Sequence, residues 1–100
     1  MTVRSFLLVQ SPEGYKTFIN LSSVSDAWFG GPAEAPPEIA PKVKEGNTFF
    51  IIYTKQVLGQ NRHQNYFWWQ GMDAEIVQAE FQKAIRQQEP LHTVVLPAVD

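Results

Sequence analysis

"NYFWWQG", residues 65–71, sets Tyr66, Phe67, Trp68 and Trp69 side by side without a polar break. Side chains of a β-strand alternate between the two faces of a sheet. As a strand, this stretch points Tyr66 and Trp68 one way and Phe67 and Trp69 the other. Just upstream, "NTFFIIYTK" (47–55) is apolar from residue 49 to residue 53, the pattern of a strand covered on both faces. Between them "QVLGQNRHQ" (56–64) predicts a turn around residues 59–61. The two strands form a central hairpin, and both of its faces need cover.

Outward from this hairpin, "VRSFLLVQ" (3–10) predicts a strand and "SPEG" (11–14) a turn, with Pro12 and Gly14 at turn positions two and four. In "YKTFINL" (15–21), Tyr15, Thr17, Ile19 and Leu21 share one face while Lys16, Phe18 and Asn20 share the other, the alternation of a half-buried strand. "SSVSDAWFGG" (22–31) predicts a third strand with Val24, Asp26 and Trp28 on one face. Residues 30–46 change character, with four prolines, three glycines and five charges. Proline cannot donate to a ladder and restrains the residue before it, so this is an extended loop. A loop of this length inside a small domain is either functional or mobile.

"DAEIVQAEFQKAIRQQ" (73–88) predicts an amphipathic helix. Asp73 is the expected N-cap. Ala74, Val77, Phe81, Ala84 and Ile85 fall on one stripe, with Ile76 at its edge. Glu75 near its start and Lys83 and Arg86 near its end suit the helix dipole, and Pro90 prevents continuation. "LHTVVLPAV" (91–99) is a short strand or a docked tail, and Pro97 confines it to a sheet edge.

The expected fold is α+β, in one domain spanning 1–100: an antiparallel sheet of about five strands, mostly a meander, with one C-terminal helix. Several antiparallel strands followed by one helix resembles a pleckstrin-homology-like arrangement, in element order alone. A helix over 73–88 is ~24 Å long and covers only one face of such a sheet. We assign Phe67 and Trp69 to the helix side. Three covers exist for the Tyr66 and Trp68 side: a curled sheet, the Pro-rich loop or tail, or a second subunit, commonly in a symmetric dimer. Charged residues are only 18% of the chain, against ~25% in typical domains. That low value favours the second subunit.

The net charge is −2, from 8 basic and 10 acidic residues, which offers no long-range attraction to nucleic acid. With no cysteine, disulfides and thiolate metal sites are excluded. The apolar run at 6–9 is shorter than a signal-peptide core, and no stretch reaches the ~20 apolar residues of a membrane span. A cytoplasmic protein is expected. His63 and His92 are the only histidines, and neither lies in a metal-ligand spacing, so both are expected to be exposed. Ser22, Ser23, Ser25 and Asp26 form a polar cluster without a nucleophile elbow, and serines at a strand edge usually make turn bonds. Glu34, Glu38, Asp73, Glu75 and Glu80 show no pattern of a buried general acid.

No catalytic site, metal or cofactor is therefore expected. The leading expectation is a non-catalytic interaction or self-assembly module that buries aromatic side chains against a partner. Trp28, Tyr66 and Trp68 are the expected anchors and Arg62 the rim, because Trp, Tyr and Arg are enriched where binding energy concentrates. The alternatives are a single-stranded nucleic-acid accessory protein that stacks bases on the same aromatics, and a small-ligand domain with the 30–46 loop as its lid.

Overall fold

In the computed structural model, residues 5–55 and 66–98 are described. They form six strands and one helix: β1 (Phe6–Gln10), β2 (Lys16–Asn20), β3 (Val24–Gly30), β4 (Phe49–Thr54), β5 (Tyr66–Gln70), α1 (Met72–Gln87) and β6 (Leu91–Val95). The α+β class holds. The expected single sheet of about five strands does not form; two sheets of three appear instead, ordered β2-β1-β6 and β3-β4-β5. The chain divides into two compact units, Met1–Ser23 with Ile76–Asp100, and Val24–Glu75.

The meander breaks after β2 for a local reason. The Asn20 side-chain oxygen accepts from the Ser22 backbone N–H at 3.1 Å and from the Ser22 hydroxyl at 2.7 Å. That turn chemistry leads into a short 3-10 turn, Leu21–Ser23. The chain leaves the first sheet there, and β3 pairs with β4 instead of β2.

In the first unit, β1 and β2 form the expected antiparallel hairpin. The Gly14 N–H donates to the Ser11 carbonyl at 3.0 Å across its turn. β6 then pairs with β1 in parallel, with Leu7 opposite His92 and Val9 opposite Val94. A parallel return needs a long crossover, which the intervening chain with α1 supplies. Residues directly opposite one another share a face, so Leu7, Val9, Thr17, Ile19, His92 and Val94 lie together. Leu7, Val9, Ile19 and Val94 are buried. The helix stripe Val77, Phe81 and Ala84 is buried too, and Glu80 of α1 bonds to His92 on this face. The helix therefore lies along it.

Helix α1 begins one residue earlier than expected. Asp73 is not the N-cap; Gly71 precedes the helix at a φ of 68°, and Asp73 and Glu75 occupy the first turn. Positive φ costs a residue with a Cβ about 1–2 kcal/mol, so glycine suits this junction. β6 is an edge strand, as expected, but it ends at Val95, so Pro97 lies beyond it and is not what places it at the edge.

In the second unit, β4 is central. Its register with both neighbours places Asp26, Trp28 and Gly30 on one face with Phe49, Ile51, Tyr53, Tyr66, Trp68 and Gln70. Ala27, Phe29, Phe50, Ile52, Phe67 and Trp69 occupy the opposite face. A register shift between Val24 and Asp26 sets Val24 opposite Thr54. A bulge of this kind turns one residue onto the other face, so Val24 does not join Asp26 and Trp28 as expected.

Candidate interaction surfaces

The Tyr66 and Trp68 face is covered by the chain's own Pro-rich segment. Ala35, Ile39 and Val43 of that segment, spaced four residues apart, all pack here. Ile39 is fully buried at 0% exposure, in one cluster with Phe49 and Ile51, and Tyr53, Tyr66 and Trp68 pack around it. The expected extended loop is compact. Pro32–Glu34 and Ala40–Lys42 form 3-10 turns, each starting with proline near its first position. The Ile39 and Ala40 N–H groups both donate to the Pro36 carbonyl. Prolines that cannot join a ladder thus shape turns that aim Ile39 inward.

Polar contacts hold the segment at its C-terminal end and at its middle. The Gln70 carbonyl oxygen accepts from the Lys44 N–H at 2.8 Å and from the Asn47 amide at 3.1 Å. Its amide nitrogen donates to the Lys42 carbonyl at 3.2 Å. One side chain therefore reads the backbone of Lys42 and Lys44 much as a neighbouring strand would. At the middle, next to Ile39, the Tyr53 hydroxyl donates to Glu38 at 2.6 Å. Burial, first, and then the Glu38 bond and nearby negative charge push the Tyr53 phenol up to about 12.

Of the expected anchors, Tyr66 and Trp68 are half-buried in this packed cluster, while Trp28 on the edge strand β3 keeps 50% exposure. Arg62 lies outside the described residues, as do His63 and the turn expected around 59–61. Phe67 and Trp69 are half-buried on the opposite face, with Trp69 stacked on Phe50.

A surface that the aromatic run did not point to lies on the first sheet. Phe6, Leu8, Phe18, Leu91, Thr93 and Val95 share the face turned away from α1. Leu8 is buried, but Phe18 is 58% exposed and Val95 62%, and Leu91 is also exposed. Lys16, Asn20 and Gln10 stand on the same face. The sequence signal was present: Phe18 sits on the side of β2 that its neighbours Lys16 and Asn20 mark as polar.

Several of the polar candidates bond within the fold. The Ser22 hydroxyl bonds Asn20, and the Ser25 hydroxyl donates to the Tyr53 carbonyl at 3.4 Å. His92 was expected to be exposed, yet its side chain is 13% exposed and its ring nitrogen lies 2.7 Å from Glu80, which also pairs with Lys83 at 3.2 Å. The His92 bond, partly opposed by burial, holds the Glu80 carboxyl below its ordinary value. The parallel register with β1 is what turns His92 inward. Among the described residues no group of three or more acidic or histidine side chains is placed to hold a metal ion, and no helix is long and apolar enough to cross a membrane.

Comparison with known proteins finds no match to a family model, to a curated protein or to a solved structure.

Proposed function

We infer that the protein is a non-catalytic interaction module whose first partner is a second copy of itself. The observation that carries this reading is one face of the β2-β1-β6 sheet, where Phe18 on one edge strand and Leu91 and Val95 on the other stand exposed around half-buried Phe6 and buried Leu8. Exposed apolar side chains gathered on one face mark contact sites. Two such sheets pack face to face at ~10 Å with interdigitating side chains. A dimer built this way would cover Phe18 and Val95 and leave Lys16 and Asn20 at a polar rim. Trp28 is a further exposed anchor. Tyr66 and Trp68 contribute less than the sequence implies, because Ile39 already occupies their face.

The test is light scattering with sedimentation equilibrium of the purified chain at tens of micromolar. The expected result is a concentration-dependent dimer that Phe18→Glu with Val95→Glu converts to monomer. Both side chains are exposed, so the substitutions should leave the circular dichroism spectrum unchanged. A wild-type chain that stays monomeric at these concentrations would remove the self-assembly reading.

A further inference from the structure

One end of the second sheet carries a constellation that the packing of the Pro-rich segment leaves partly open. Asp26, Tyr53 and Tyr66 stand directly opposite one another across three strands, and Trp28 lies two residues along β3 on the same face. The Trp28 and Tyr53 ring centroids are 6.3 Å apart with the planes at 73°; those of Tyr53 and Tyr66 are 6.1 Å apart at 51°. Trp28 is half exposed and Tyr53 and Tyr66 are only partly buried, so part of each side chain reaches solvent. A cation is attracted to an aromatic face within ~6 Å of its centroid, and at these spacings one cation reaches two rings at once.

The charges around the rings are negative. Glu38 accepts from the Tyr53 hydroxyl, and Asp26 lies opposite Tyr53 on β3. Among the described residues neither carboxylate takes part in an ion pair; the pairs are Lys83 and His92 with Glu80. That field suits a cation, and the donor set selects its kind. A hard divalent ion wants six or more oxygen ligands, whereas no cluster of three acidic or histidine groups exists among the described residues. Three rings and two carboxylates favour an organic cation. A bare primary ammonium is strongly hydrated, while an alkylated one gives up water easily and matches aromatic walls.

We propose that Trp28, Tyr53 and Tyr66, flanked by Asp26 and Glu38, form a binding site for an alkylated ammonium group, the chemistry shared by methylated lysine side chains and free choline. Trp28 at 50% exposure is the entrance. The site lies within Val24–Glu75 and does not depend on the open face of the first sheet, so it stands or falls separately from self-association.

The test is a nitrogen-15 NMR titration with tetramethylammonium chloride, against sodium chloride at equal concentration. The readouts are the Trp28 indole and the Tyr53 amide. The expected result is a saturable shift at millimolar tetramethylammonium that sodium does not produce. Trp28→Ala, read on the Tyr53 amide, should weaken binding about threefold to fivefold, and Asp26→Asn should weaken it in the same direction. Both side chains are exposed, so folding is retained and can be checked from the rest of the spectrum. Choline and a short neutral peptide carrying trimethyl-lysine then separate the two sources: saturable binding of either supports the site, and the tighter one identifies the source. Equal shifts with sodium, binding unchanged by both substitutions, or equal binding of the unmethylated lysine peptide would each overturn the proposal.

Discussion

Replacing Ile39 by alanine tests whether the Pro-rich segment is a structural cover for the aromatic face. Ile39 is fully buried against Phe49 and Ile51. The change removes three carbons, and each buried methylene contributes ~0.8 kcal/mol of transfer free energy, which gives about 2.4 kcal/mol. The cavity left between Phe49 and Ile51 adds to this, and buried Ile→Ala changes cost 2–5 kcal/mol in all. We expect a loss of about 3 kcal/mol. In a domain of this size each kcal/mol lowers Tm by roughly 4–8 °C, so Tm should fall by about 12–24 °C. The assay is urea unfolding followed by tryptophan fluorescence, with Ile85→Ala as the control. Ile85 is exposed on α1, so its truncation should stay within about 0.5 kcal/mol. Trypsin gives a second readout, because Lys42 and Lys44 lie in the segment and should be cut faster once Ile39 no longer anchors it. A loss below about 1 kcal/mol with unchanged cleavage would refute the covering role and restore the mobile-lid reading of 30–46.

Gln70→Ala removes bonds to Lys42, Lys44 and Asn47 together. At about 1 kcal/mol net for each hydrogen bond, reduced because water reaches Lys42 and Lys44, it should cost about 1–2 kcal/mol by urea unfolding and speed trypsin cleavage at both lysines; unchanged cleavage would count against the clamp. The Glu80 carboxyl is held below its ordinary 4.5 mainly by His92. A group whose folded pKa is depressed stabilises the fold above its unfolded pKa and loses that contribution as pH falls through the folded pKa. Stability should therefore decline as pH drops below about 4.5, and Glu80→Gln should flatten that part of the pH profile, with urea midpoints from pH 3 to 7 as the measure. An identical slope in the variant would remove the pair from the acid dependence.

The strands were legible where local pattern decides them. Alternation in 15–21 placed Thr17 and Ile19 on one side and Phe18 on the other, and the register with β1 agrees. The unbroken apolar runs marked β4 and β5 as strands needing cover on both sides. The helix was legible from its stripe, but Ile85, expected on that stripe, is exposed, and the cap was misplaced, because Asp73 offers cap chemistry while Gly71 offers the backbone conformation the junction adopts. The cover of the Tyr66 and Trp68 face was harder to see. Ala35, Ile39 and Val43 carry a four-residue spacing, but prolines and charges between them hide it from any helix or strand template. Nothing in the spacing of His92 relative to Glu80 announced their bond either, since it follows from the parallel pairing of β6 with β1.

What the sequence determined by itself is where the first five strands and the helix lie, to within a residue or two, and that the aromatic hairpin presents two apolar faces. Those follow from side-chain alternation, helical spacing and the fixed φ of proline, all of which act between near neighbours. Which strands pair, that six strands divide into two sheets, and that the Pro-rich segment packs on Tyr66 and Trp68 were decided only in the tertiary structure. Pairing and cover depend on contacts between residues far apart in the chain, such as Ile39 with Ile51 or Leu7 with His92. Local pattern limits those contacts without choosing among them; packing chooses, by burying Ile39 and leaving Phe18 in water.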